Sequence, residues 1–311
     1  MANIYYLQVT RSCNQSCRFC SNPPNERVIA AARARAMLRS YARRRASGVI
    51  FTGGEPTLHP DLPGLVAYAA KLGLEARLVT NGQRTASRAY LASLKRAGLS
   101  QMHVSLHSHL PKLQDYLSRK RGSARRVRRT LEHAGALGVP VSVNMVINRY
   151  NSGHLHLAVR RLCGDFPFLR HFVFNNMDPG MERVVEFPDT IPSLRGFESS
   201  LALAMRWLDG TGRTFRVERV PLCFMAEFPH CSTETRKIVK GEDRLTYFLD
   251  EKGLISQKVW DYGKPERCAA CRLSPLCAGL YKLDRYYDTG DLCPVFADPA
   301  AVARRVRETG S

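Results

Sequence analysis

Between residues 4 and 174, short β-branched and aromatic runs alternate with longer helical stretches, and this alternation constrains the fold more than any other feature. The strand-like runs are Ile4–Val9, Val49–Thr52, Glu75–Thr80, Met102–Leu106, Val141–Ile147 and His171–Phe174; helical stretches lie near 27–45, 62–72, 85–97, 123–137 and 155–163. Such alternation predicts right-handed crossovers and an α/β fold with a parallel sheet. A chain of 311 residues has room for a parallel-sheet domain of about 200 residues plus a small appendage. The boundary is expected near Gly210-Thr-Gly212, giving a first domain over 1–212 and a second domain over 213–311.

Cys13, Cys17 and Cys20, in Cys-Asn-Gln-Ser-Cys-Arg-Phe-Cys, directly follow the first run. Three thiolates hold three corners of a four-iron cube and leave one iron open, and an open coordination position marks a reactive metal site. The spacing does not suit zinc, which favours paired Cys-x-x-Cys knuckles. A ferredoxin-like electron carrier and a chance group of buried thiols are the alternatives. Gly53-Gly54-Glu55-Pro56 ends the second run; its glycines permit unusual dihedrals and close approach to a ligand, its proline stiffens the exit, and the same residues also make an ordinary turn. Thr80-Asn81-Gly82, Ser105 and Asn144 lie on later strands or their ends and offer hydrogen bonds to the barrel mouth. Singly, each also reads as a turn residue or a satisfied strand polar group. His103, His107 and His109 read as a strand-and-turn surface, with no metal assigned.

This order of motifs resembles the radical S-adenosylmethionine (SAM) superfamily, whose signature is three cysteines spaced as here with an aromatic residue, here Phe19, before the last. The resemblance implies a partial (β/α)6 TIM-type barrel. It implies a [4Fe-4S] cluster held by Cys13, Cys17, Cys20 and SAM, with reductive cleavage giving a 5′-deoxyadenosyl radical that abstracts hydrogen from substrate. Gly53, Gly54 and Glu55 match the motif that binds the methionine amino group, and Asn81, Ser105 and Asn144 fall where relatives contact ribose or carboxylate. No residue is assigned as catalytic. A non-enzymatic carrier has no use for an open iron beside a glycine-rich loop.

Cys223 precedes an expected hairpin, Leu245–Leu249 and Leu254–Trp260, and Cys268, Cys271 and Cys277 follow it. This resembles the auxiliary-cluster modules called twitch and SPASM domains, here a small β-hairpin/helix domain. It implies one auxiliary [4Fe-4S] cluster on Cys223, Cys268, Cys271 and Cys277, with structural zinc on the same thiolates as the competing reading. Cys163, Cys231 and Cys293 receive no role.

No apolar run reaches membrane-spanning length and no signal peptide is visible, so a cytoplasmic enzyme is expected, with no membrane partner. The net charge is +20, and Arg35, Arg39, Arg43 and Arg121, Arg125, Arg129 recur at helical spacing. Such stripes attract acidic peptides or nucleic acid. There is no RNA-binding motif, nucleic acid is not an expected partner, and solvated faces are the default. An electron donor such as flavodoxin or ferredoxin is expected. The substrate is expected to be a ribosomally made peptide receiving a cross-link, epimerisation or thioether, with a small metabolite (sugar, amino acid or nucleoside) as the alternative. The first strand comes almost at once, so a separate leader-peptide-binding protein is an expected partner.

Overall fold

The computed structural model describes residues 3–21, 25–242, 245–250, 253–256, 262–281 and 286–309. Its first part runs β1 (Ile4–Thr10), α1 (Ala31–Arg43), β2 (Gly48–Gly53), α2 (Leu62–Lys71), β3 (Glu75–Thr80), α3 (Arg88–Arg96), β4 (Leu99–Ser105), α4 (Pro111–Ser118), α5 (Ser123–Leu137), β5 (Val141–Ile147), α6 (Leu155–Asp165), β6 (His171–Asn176), α7 (Glu182–Glu186), α8 (Leu194–Gly210) and β7 (Thr214–Glu218). Then follow α9 (Thr233–Lys240), β8 (Leu245–Tyr247), β9 (Leu254–Ser256), β10 (Tyr262–Gly263), β11 (Leu280–Tyr281) and α10 (Pro299–Glu308).

Strands β1 to β7 pair parallel, each with its neighbour in sequence, in a sheet of order β7-β6-β5-β4-β3-β2-β1-β8-β9. Period-two alternation separates its faces. Leu7, Val49, Phe51, Leu78, Met102, Val104, Val143, Phe172 and Phe174 are buried in one core with Leu38, Leu65, Leu91, Leu131, Leu162 and Phe197 of the helices. The opposite face carries Tyr6, Thr52, Val79, His103, Asn144, Val173 and Asn175, which line a cavity of about 240 Å3. The outer layer is thus apolar, while the inner face mixes Ile50, Val79 and Val173 with polar side chains.

Two departures from the sequence reading concern the sheet edges. The run after Gly212 is a seventh parallel strand beside β6, with His171 opposite Thr214. The hairpin expected among the carboxy-terminal cysteines instead extends the other edge: β8 pairs parallel with β1, Tyr6 opposite Thr246, and β9 pairs antiparallel with β8. Its latch is the Leu249 N–H donating to Gln8 Oε1 at 3.0 Å. An open barrel leaves the outer edge of β1 unpaired, and a strand edge recruits a partner. The sheet therefore runs across the expected division at 212/213; residues 257–261 of the hairpin lie outside the described residues. Helix α1 also begins later than expected, because Val28 bridges to Thr10 and the Ile29 N–H donates to the Val9 carbonyl at 3.0 Å. Among the described residues no helix is long and apolar enough to cross a membrane.

Candidate functional site

The loop after β1 carries Cys13, Cys17 and Cys20, and its backbone is fastened on two sides. The Arg11 N–H donates to the Arg27 carbonyl at 2.7 Å, and the N–H groups of Ser16 and Arg18 donate to the carbonyls of Ser118 and Leu117 at 3.3 and 3.0 Å. Phe19 anchors it from below, buried with Leu117, Met177 and Val184 in an apolar cluster separate from the main core. Its ring stands edge-on to His107, centroids 4.7 Å apart. His107 is buried rather than on the surface expected from the sequence, and its Nδ1 accepts the Val146 N–H at 3.1 Å. Burial pushes its pKa down to about 4, so it packs as a neutral ring.

All three thiols are half-buried. Burial pushes Cys13 up to about 11 and Cys17 higher still, and the proximity of the other cysteines adds to both. Crowded thiols of this kind ionise when a metal takes up their charge. The donor set therefore fits a cluster.

The second motif explains why the loop holds its shape. Gly53 has φ +143°, and a Cβ there would lie 1.9 Å from the Thr10 carbonyl oxygen. A Cβ on Gly54 would lie 2.4 Å from the oxygens of both Arg11 and Ser12. The Gly54 N–H donates to Thr10 O at 2.7 Å and the Glu55 N–H to Ser12 O at 2.8 Å. The sequence suggested close approach to a ligand; the backbone that makes this approach is the cysteine loop itself. Glu55, 1% exposed, is committed within the protein. Its Oε1 accepts from Thr57 N–H at 3.2 Å, Thr57 Oγ1 at 2.6 Å and Thr80 Oγ1 at 2.8 Å, and its Oε2 from Asn81 N–H at 2.7 Å. Burial pushes its pKa up while the donors pull it down. Asn81 carries the linkage onward, its Nδ2 lying 2.8 Å from Asn14 Oδ1 and 3.7 Å from Cys13 Sγ.

This network gives a first prediction. Glu55→Gln puts an amide NH2 against backbone or hydroxyl donors, so at least one buried donor loses its acceptor, at about 1–3 kcal/mol. Chemical denaturation should show that loss together with weaker iron retention. An unchanged midpoint would mean that the carboxylate does not staple the loops.

The structure thus brings the cysteines, Gly53, Gly54, Glu55 and Asn81 into one hydrogen-bonded knot at the ends of β1, β2 and β3. Ser105 and Asn144 stand apart as register partners of β4 and β5. Asn144 lines the inner cavity and its Oδ1 accepts from Asn175 Nδ2, so Asn175 joins the polar face without any motif to signal it.

In the carboxy-terminal part, Cys223, Cys268, Cys271 and Cys277 line one small pocket, and Cys293 lines it too. The sequence reading gave Cys293 no role because it comes late; the chain returns through Thr289–Asp291 to place it there. Backbone N–H groups face these sulfurs. Gly279 donates to Cys277 Sγ and Val295 to Cys271 Sγ, each at 3.3 Å. Such donors stabilise thiolate ligands of a cluster. Among the described residues no three His, Cys, Asp or Glu side chains are placed to hold a single metal ion. Gly279 has φ +98°, and a Cβ there would lie 2.3 Å from Gly263 O, so the β10–β11 pair closing the pocket needs glycine. Cys163 and Cys231 are buried elsewhere in the apolar core.

A cysteine loop clamped by a glycine loop at the strand ends of an open parallel barrel belongs to a class of cofactor enzymes that work from the barrel mouth. Residues 7–160 match the Radical SAM superfamily, and the chain carries a radical SAM enzyme domain over that span. It is 35% identical over 150 residues to the PqqA peptide cyclase of Xanthomonas axonopodis pv. citri (strain 306), an alignment spanning 47% of this chain and 40% of that protein. The chain thus covers about two fifths of the length of that relative. Among solved structures, native anSMEcpe with bound AdoMet and Cp18Cys peptide superposes with TM-score 0.63 at 14% identity, covering 98% of this chain and 96% of that one. Streptococcus suis SuiB bound to precursor peptide SuiA gives TM-score 0.61 at 15% identity, covering 79% of this chain and 57% of that one. These two likenesses are of fold.

Proposed function

We propose that this chain is a cytoplasmic radical SAM enzyme that modifies a ribosomally made peptide. The observation that carries the radical chemistry is the knot joining Cys13, the Gly53–Glu55 loop and Asn81 at the strand ends, next to a cavity of about 240 Å3 lined from Thr52, Val79 and neighbouring strands. When bound, the cluster and SAM supply reductive cleavage to a 5′-deoxyadenosyl radical and hydrogen abstraction from substrate. Cys13, Cys17 and Cys20 would hold the cluster, and Gly53, Gly54, Asn81, Ser105 and Asn144 would face the cofactor. Glu55 and Phe19 are positioning residues: the first fixes the loop ends, the second seats the loop on its apolar cluster. The peptide reading is supported by the naming of the relatives as PqqA peptide cyclases and by the peptides bound to SuiB and anSMEcpe. The test is anaerobic incubation with SAM, a low-potential reductant and candidate precursor peptides from neighbouring genes. Release of 5′-deoxyadenosine with a mass change in a peptide is expected; turnover of a sugar, amino acid or nucleoside instead would overturn the peptide assignment.

The tail, from about residue 213, is proposed to bind one auxiliary [4Fe-4S] cluster. Cys268, Cys271 and Cys277 supply three ligands, and Cys223, with Cys293 across the same pocket as its competitor, the fourth. With two cubes, the reconstituted protein should hold roughly eight irons, and the Cys268→Ala, Cys271→Ala, Cys277→Ala variant about four. That variant should still cleave SAM without substrate. About four irons in the unaltered protein, with zinc in the tail, would establish the zinc alternative; single Ser variants at 223 and 293 identify the fourth ligand.

A further inference from the structure

The two arginine stripes differ in the structure. On α1, Arg35 pairs with Asp61 at 3.1 Å and Arg39 donates to Tyr68 Oη at 3.1 Å, so that stripe is largely used in holding α1 to its neighbours. Around the start of α5, Lys120, Arg121, Arg125, Arg126 and Arg129 are all exposed, and among the described residues none of them makes an ion pair. Of the flanking acids, Asp115 is already committed, accepting the N–H groups of Gly122 and Ala124 at 2.6 and 2.8 Å, and Glu132, three residues after Arg129, makes no ion pair among the described residues.

This face is fastened to the cysteine loop. Ser16 and Arg18 donate to the last carbonyls of α4, and Gln15 Nε2 donates to Ser123 Oγ, in the first turn of α5, at 2.9 Å. Arg18, between Cys17 and Phe19, adds its own cation, stacked 4.0 Å over Tyr116 and 4.5 Å over Phe187. Exposed positive charge without an ion pair therefore lies on the α4–α5 corner to which the segment that would carry the reducible cluster is fastened. A solvated face has no reason to sit there. An electron-delivery surface does, because a protein donor must bring its redox centre close to that cluster, and opposite charge steers such encounters.

We infer that the face formed by Lys120, Arg121, Arg125, Arg126 and Arg129 is the docking surface for an acidic one-electron carrier protein of the flavodoxin type. The inference rests on the radical reading of the Cys13–Cys20 loop. Per encounter the reduced flavin loses one electron, passing from hydroquinone to semiquinone, and the cluster gains it; no bond forms or breaks. Charge would attract an acidic leader peptide equally; position favours the carrier, because a leader peptide has no need to lie on the element fastened to the cysteine loop.

The test compares the full reconstituted chain with its Arg121→Glu, Arg125→Glu, Arg129→Glu variant, following cluster reduction by stopped flow. Flavodoxin hydroquinone and reduced methyl viologen, a small cation, serve as alternative donors. Charge reversal should slow reduction by flavodoxin at least about tenfold at low salt, with the difference shrinking as salt rises. The methyl viologen rate should not fall. Equal flavodoxin rates at low salt would overturn the inference and leave the face to a peptide or to solvent. An equal fall with both donors would also overturn it, since the effect would then lie in the loop and not in docking. Failure of the radical reading looks different: the unaltered protein would release no 5′-deoxyadenosine with either donor.

Discussion

Replacing Cys13, Cys17 and Cys20 together by alanine is expected to abolish 5′-deoxyadenosine formation under reducing, anaerobic conditions and to remove about half of the iron. The geometry makes the loss all-or-none. The three thiols share one loop, burial and neighbouring cysteines push the pKa values of Cys13 and Cys17 up, and no other cysteine of the knot is available to replace them. Each cube carries four irons, so the content should fall from roughly eight to about four, with the remainder in the tail. Folding should be little affected, because Phe19, Gln15 and the backbone bonds of Ser16 and Arg18 hold the loop without the sulfurs. The measurement is product by chromatography beside iron by colorimetry. Undiminished SAM cleavage in the triple variant would sink the assignment of the cluster, whatever the iron count.

The strands that position this site were legible because each is a short β-branched run followed by a turn, and the alternation with helices allows few topologies. Val141–Ile147 and Ser123–Leu137 have the ends the sequence suggested. What was not legible depends on contacts distant in sequence. Thr246 beside Tyr6 is a pairing between residues 240 positions apart, and nothing local distinguishes a hairpin that extends a sheet from one that covers a cluster. His107 looked like surface because it follows a strand, yet the apolar cluster under Phe19 closes over it. Glu55 read as a ligand-binding carboxylate, while the four donors around it come from Thr57, Thr80 and Asn81. The cysteine spacing carried the chemistry; the hydrogen-bond knot that fixes the cysteines emerged only with the folded chain.

Gly54→Ala should cost the amino-terminal cluster while leaving the tail cluster in place. The added Cβ would lie 2.4 Å from two carbonyl oxygens, and both belong to backbone that has no room to retreat. Arg11 is tied to Arg27, and the Ser12 carbonyl accepts the Glu55 N–H, so relief requires the cysteine loop to lift from the glycine loop. Such overpacking costs about 1–3 kcal/mol, and roughly 2–4 °C of Tm follows for each kcal/mol in a protein of this size class. Stability alone would not locate the effect, so Gly73→Ala serves as the control. Gly73 has φ +75° with open space around it, and a side chain there brings left-handed backbone strain of about 1–2 kcal/mol without touching the site. The two variants should therefore melt at similar temperatures and differ in iron. Gly54→Ala should retain about four irons and lose most SAM cleavage, while Gly73→Ala should keep roughly eight and cleave normally. Full iron and normal cleavage in Gly54→Ala would show that the cysteine loop does not depend on its close contact with the glycine loop.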